Sequence, residues 1–577
     1  MAGAAAGERA LKPCDLVMKG GITSGVVYPA AMKRLSQDYV FRRIGGASAG
    51  AIAAVIGAAC EFRRRAHPDV DAFAALDTVN AELTQAHFIE RLFQPTPGAR
   101  APFEAALALQ AGKRARAVGA VLRRSPAALV LAVAAVLLWL AFVAVTVVGL
   151  ASGGVSTIET AALVFVGVVS AIVLAVLLAA ALIWALTRVV GTLNTALVAN
   201  GFGMCRGREL TEWLHSRIQF CAELPTDAPL TFRDLKGSPP QEEIGLQLIT
   251  TDLSASRPVD LPLPDRGQEQ GKTIYYFQES ELAPLFPRAV IAAMTSRAER
   301  RQLVAGGAEY CRMPGLDLPV VVAARLSLSF PVLLSTVPLW SQDEGQSAPV
   351  RHTMSDGGIT SNFPIHFFDA LLPRWPTFGL DLQPYPDPAE VRSPTPNVVF
   401  GPGPRPPAFT AVSSVFSFAR QILSAALDWR DTLQAELPGF RDRVCQIRLS
   451  KREGGLNLDM PPDVVTALEA RGREAGETVA TQFDWDCHRF ARYLTFMQVM
   501  QEGLEPAKLA FAELAGEVPA IPPGCPSYPG HAPPWWDDAM PLTRAFLDDV
   551  TWGQDGQTDF TQDAPTPKGW VRVTPGV

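Results

Sequence analysis

Residues 126–150 and 161–187 contain no Asp, Glu, Lys or Arg and consist mostly of Ala, Val and Leu. At 1.5 Å per helical residue the first run spans roughly 37 Å, enough for a hydrocarbon core of about 30 Å. Helices buried in a soluble core rarely run this long without a charge, so the pair reads as a transmembrane hairpin. The connector, 151–160, holds Gly153, Gly154 and one acid, Glu159. Lys113, Arg114, Arg116, Arg123 and Arg124 precede the first run, Arg188, Arg206 and Arg208 follow the second, and the connector has no basic residue. The positive-inside rule then puts both outer ends, and the rest of the chain, on the cytoplasmic side. With no ionisable residue inside either run, the hairpin is expected to anchor rather than to transport.

The remaining sequence is expected to lie in the cytoplasm. The chain has 577 residues, room for more than one structural unit. Its net charge of −6 argues against nucleic acid as a partner. The eight cysteines form no CxxC pair and suit neither a zinc site nor a disulfide framework. Residues 1–10 are expected to be a disordered lead-in.

Strand and helix signals alternate before the hairpin. An apolar strand over 15–18 is followed by a glycine-rich turn, 19–25. A helix over 26–35 has Pro29 in its first turn, and a second strand, 40–44, leads through a sharp turn into a helix of small residues, 49–60. This order predicts an α/β fold on a parallel sheet. After the hairpin come a helix over 208–220, a strand over 244–251, an apolar run over 319–324 and a late strand over 378–382. Proline-rich stretches mark 386–407 and 519–534, and 413–437 has the spacing of an amphipathic helix.

Three constellations carry chemistry. Gly46-Ala47-Ser48-Ala49-Gly50 places a serine on a strand-to-helix turn, where glycines permit close approach and the helix N-terminus favours developing negative charge. Gly20-Gly21-Ile22-Thr23-Ser24-Gly25 follows the first strand, where backbone N–H groups can converge on an oxyanion. Asp356, ahead of Gly357 and Gly358, is a candidate base, since a serine hydroxyl is a poor nucleophile until a neighbour accepts its proton.

Taken in chain order, glycine-rich loop, GxSxG and then Asp-Gly-Gly, the three motifs resemble the patatin-like phospholipase family over residues 16–382, interrupted by the hairpin. Leu230–Leu235, Gln247–Leu253 and Ala324–Pro331 add weaker matches. The resemblance implies a three-layer sandwich on a doubly wound, mainly parallel sheet. It implies a Ser48–Asp356 dyad without a catalytic histidine, and Gly20, Gly21 and Ile22 as oxyanion donors. The reaction it implies is hydrolysis of fatty-acyl esters in phospholipids, lysophospholipids or neutral lipids, with no metal and no organic cofactor. The partners expected are the bilayer and its lipids, in a bacterial inner membrane. The domain plan is 11–125 and 188–385 as two parts of the catalytic domain, 126–187 as the hairpin, and 386–577 as a mainly helical extension.

Two departures from the family pattern bear on substrate. Ile22 replaces the third glycine of the loop and Ser24 its usual basic residue, leaving Lys19 as the nearest cation for a phosphate headgroup. Two alternatives stay open: a Ser-His-Asp hydrolase using His352, His366 or His488, and a membrane scaffold without turnover.

Overall fold

The computed structural model describes residues 10–21, 23–110, 126–151, 157–237, 242–265, 272–303, 307–342, 346–370, 372–385, 396–401, 412, 418, 421–422, 437, 439–450, 452–455, 457–514, 533–549 and 560. The basic flank before the hairpin, half of the connector, Ile22, most of both proline-rich stretches and nearly all of 413–437 lie outside the described residues.

The first strand, β1 (Lys12–Met18), is buried on both faces, as an internal parallel strand should be. Next come helix α1 (Tyr28–Leu35), strand β2 (Tyr39–Gly46) and helix α2 (Ala49–Ala66). The small side chains of α2 let it pack closely on β1 and β2. Two long apolar helices follow, α3 (Pro126–Ala151) and α4 (Thr157–Ala199), packed against each other. Strand β3 (Gly203–Cys205) leaves α4 and leads into α5 (Arg208–Ala222). The other strands are β4 (Gly245–Asp252), β5 (Arg257–Leu261), β6 (Tyr276–Phe277), β7 (Arg300–Gln302), β8 (Glu309–Arg312), β9 (Val332–Leu334), β10 (Val337–Ser341), β11 (Val350–Ser355), β12 (Thr377–Pro384), β13 (Val398–Val399) and β14 (Val444–Leu449). Helix α6 (Val320–Ser327) precedes β9, and α7 (Pro462–Gln482) follows β14.

Among the described residues, twelve strands form one sheet in the order β13-β14-β12-β1-β2-β4-β11-β10-β6-β8-β7, with β5 on β4. From β14 to β4 the neighbours are parallel. Every other pairing in this sheet is antiparallel. The fold is therefore α/β, but the mainly parallel sheet expected from the sequence is a mixed one. The difference has a local cause: the chain beyond β4 returns by hairpins, which need no crossover helix.

Leu16 and Met18 of β1 face the large core with α1 and α2, while Val17 faces a smaller cluster with Phe363, Ile365, Phe368, Phe440 and Val444. The segment after residue 386, expected as a helical extension, also completes the sheet. It supplies β13 and β14, and α7 lies along α1. Within α4, Phe165–Ala199 is long and apolar enough to cross a membrane and is not buried by the rest of the protein. The corresponding stretch of α3, Val133–Val148, is shorter.

Candidate active site

Ser48 stands between β2 and α2 with φ 53° and ψ −125°. Left-handed backbone of this kind is costly for a residue with a Cβ and survives only where the surroundings fix it. The two flanking glycines do so by close approach. A Cβ on Gly50 would lie 2.2 Å from the Met18 carbonyl oxygen, and one on Gly46 would lie 2.6 Å from the Gly50 carbonyl. The strand end, the turn and the first turn of α2 are thus pressed together so that Ser48 caps the helix. The Ser48 backbone N–H donates to Ser327 Oγ at 3.1 Å.

Asp356 follows β11 and is 3% exposed, as is Ser48. Its N–H donates to the Ser329 carbonyl at 3.0 Å, and its Oδ1 accepts from Gly358 N–H at 2.8 Å. Burial pushes the Asp356 carboxyl up to about 7; the Ser48 hydroxyl, the Gly358 N–H and the Arg325 charge pull the other way. Among the described residues, Oδ2 has no hydrogen-bond partner. The Ser48 contact is therefore loose, as such contacts often are before a substrate binds. The fold thus brings together two residues some 300 positions apart. Gly357 contributes through packing, because a Cβ there would lie 2.1 Å from the Ile249 carbonyl oxygen.

The glycine-rich loop differs from expectation. The Gly20 N–H, expected to serve an oxyanion, donates instead to the Asn362 carbonyl at 2.7 Å. A carbonyl in the chain after Asp356 reaches the donor first. A Cβ on Gly20 would lie 3.1 Å from Ser48 Cβ, so the loop does lie against the serine. Among the described residues, the N–H groups of Gly21 and Ala49 have no acceptor. Sequence reasoning passed over Ala49, although the residue after a nucleophilic serine is a usual donor. Ile22 lies outside the described residues. Lys19 is not positioned for a headgroup either: its Nζ is 2.9 Å from Oδ1 of the buried Asp381.

Two of the three candidate histidines are committed elsewhere. His352 bonds Asp252 and Ser341, and His488 Nδ1 lies 2.6 Å from Asp442 Oδ2. His366 sits in a short turn, Ile365–Phe368, with its ring against Phe367. Among the described residues one set, His87, Glu90 and Asp459, has metal-ligating atoms within 4.8 Å of one another, and it shares no residue with the Ser48 site. A cavity of about 270 Å³ lined by Arg233, Asp265, Arg297, Arg312 and Asp317 is also separate from it.

No family model matches the chain. The RpoH suppressor of Rhizobium meliloti (strain 1021) is 32% identical to it over 661 residues, an alignment that covers 98% of this chain and 99% of that protein. The chain belongs to the RpoH suppressor family. Since the match runs nearly end to end in both proteins, it takes in the long apolar helices and the segments that carry Ser48 and Asp356. Among solved structures, VipD from Legionella pneumophila aligns over 95% of this chain and 81% of its own, at 11% identity and a TM-score of 0.26, too low to bear on fold or function.

Proposed function

We propose that this RpoH suppressor relative is a membrane-anchored serine hydrolase of patatin-like type that cleaves fatty-acyl esters of lipids. The observation that carries the reading is the pairing of Ser48, on a left-handed strand-to-helix turn, with a buried carboxyl poised near neutrality. Asp356 takes the hydroxyl proton as Ser48 Oγ attacks the ester carbonyl. The N–H groups of Gly21 and Ala49 face the oxyanion, and its collapse expels the alcohol, which takes up the proton held by Asp356. Water then attacks the acyl-enzyme, its proton passing through Asp356 back to Ser48 as the fatty acid leaves. The α3–α4 hairpin holds this site beside the bilayer and raises the effective concentration of lipid. With Lys19 tied to Asp381 and Ser24 in place of a basic residue, weakly charged lipid esters suit the site better than anionic phospholipids.

The test is fluorophosphonate labelling of the full chain purified in detergent, with ester hydrolysis measured alongside. The wild type should be labelled at Ser48 and turn over; Ser48→Ala should do neither, and Asp356→Asn should lose turnover by about 10³-fold or more. A folded wild type that is neither labelled nor active would favour the scaffold alternative.

A further inference from the structure

Arg325, on α6, is one of the two largest side chains buried to within 2% exposure. Among the described residues no carboxylate forms an ion pair with it. Its charge is satisfied by neutral acceptors instead. Nη1 donates to Ser329 Oγ at 2.6 Å, and Nη2 donates to the Arg206 carbonyl at 3.0 Å, the Ser335 carbonyl at 2.7 Å and Ser335 Oγ at 3.1 Å. Burial lowers its pKa to about 10, so it stays charged at neutral pH. A buried cation is costly, and hydrophobic residues of similar volume often replace one without loss of stability. The site therefore calls for a reason beyond packing.

The groups it clamps supply one. On one side, Ser327 Oγ accepts from Ser48 N–H, and the Ser329 carbonyl accepts from Asp356 N–H and Ser355 Oγ. Residues 325–329 are thus the bracket shared by both members of the dyad. On the other side, Arg206 directly follows β3, the strand that leaves α4 and pairs with β9. Ser335 Oγ also donates to the Arg206 carbonyl at 3.2 Å. Gly207, with φ 77°, lets the chain pass against the guanidinium, where a Cβ would lie 3.2 Å from Nε.

Resting on the hydrolase reading, we infer that Arg325 is a positioning residue that ties the bracket holding Ser48 and Asp356 to the chain leaving the long apolar helix. Its geometry fixes the two backbones, and its charge favours the ionised form of Asp356. Among the described residues, Asp356 and Cys205 of β3 are the titratable groups that interact electrostatically with the guanidinium, and Arg325 is the charged group that acts on Asp356.

The experiment compares Arg325→Met, Arg325→Lys and Ser335→Ala in the full detergent-purified chain, with p-nitrophenyl butyrate as probe and thermal denaturation as a check on folding. Arg325→Met should lower kcat by about 10²-fold with KM little changed, the size expected for a misplaced catalytic group. It should also move the acid limb of the pH profile to higher pH. Arg325→Lys keeps the charge and should hold the limb near its wild-type position while kcat falls. Ser335→Ala cuts only the β3 side and should lower kcat several-fold without moving the limb; it carries the test if Arg325→Met does not fold. Folded variants with wild-type kcat and an unmoved limb would overturn the inference. A wild type without Ser48-dependent hydrolysis would overturn the hydrolase reading and the role of Arg325 with it.

Discussion

His352 Nδ1 lies 2.7 Å from Asp252 Oδ2, deep between β4 and β11. His352 Nε2 lies 2.7 Å from Ser341 Oγ, so both ring nitrogens are used in joining β4, β11 and β10. This places the histidine nearest to Asp356 in the sequence within a structural network. His352→Ala should therefore leave fluorophosphonate labelling of Ser48 intact while removing about 1–3 kcal/mol of stability, because the buried Asp252 Oδ2 would lose its His352 hydrogen bond. Loss of Ser48 labelling in a folded variant would instead revive a Ser-His-Asp mechanism. The pH signature has a definite sign. Burial pushes the Asp252 carboxyl up, but the bond and charge of His352 outweigh it and hold the carboxyl below its ordinary value. The stability it contributes is present above the unfolded pKa and is lost as pH falls through the lowered folded value. Acid unfolding of the wild type and His352→Ala should differ in that window.

Asp356 has the opposite sign. Its folded pKa of about 7 lies above the ordinary carboxylate value, so the native state holds the proton more tightly than the unfolded chain. The wild type should lose stability as pH rises from about 4 to 7. Over the same upper range kcat/KM should increase, because the base works only when ionised. Asp356→Asn should abolish turnover, flatten that part of the stability profile and raise Tm at pH 8. An activity profile with its acid limb near pH 4 would rule out a buried Asp356 as the base.

Gly50 is fixed by contact rather than by chemistry. A Cβ there would meet the Met18 carbonyl at 2.2 Å and the Lys19 carbonyl at 2.9 Å, both of them backbone atoms that cannot swing aside. Gly50→Ala should cost at least about 1–3 kcal/mol and displace Ser48. Lower Tm together with slower fluorophosphonate labelling would show both effects; an unchanged Tm would contradict the packing described.

How legible all this was in the sequence follows the range of the interactions involved. The strand ending at Met18, the turn at Ser48 and the helix after it are local structures, written in a β-rich apolar run, two glycines and a stretch of small residues, and they appear within a few residues of where the pattern puts them. Asp356 was legible as a motif, but not its near-neutral pKa, which comes from burial by distant elements. The use of Gly20 N–H by Asn362 and of Ser48 N–H by Ser327 joins segments about 300 residues apart, and no periodicity reports it. Nor did spacing reveal the antiparallel half of the sheet. Its strands are short, β6 having two residues and β7 three, too few to show alternation.

The hairpin gives the last prediction. Phe165–Ala199 lies exposed along α4, an arrangement that water would penalise and lipid would not. Leu177, 52% exposed near the middle of the apolar run 161–187, is a position where an arginine should meet hydrocarbon. At a bilayer centre it costs about 2.5–3.5 kcal/mol. Leu177→Arg should thus raise the carbonate-extractable fraction of the protein several-fold, whereas a helix serving only as a soluble stalk would tolerate the change. Orientation can be read from the same preparation with a membrane-impermeant maleimide. In intact cells, a cysteine introduced by Ser156→Cys in the connector should react from outside, while the exposed Cys487 should react only after permeabilisation. If α3 fails to span, the connector cysteine stays protected while α4 still resists carbonate, an outcome that separates a two-helix anchor from a single span.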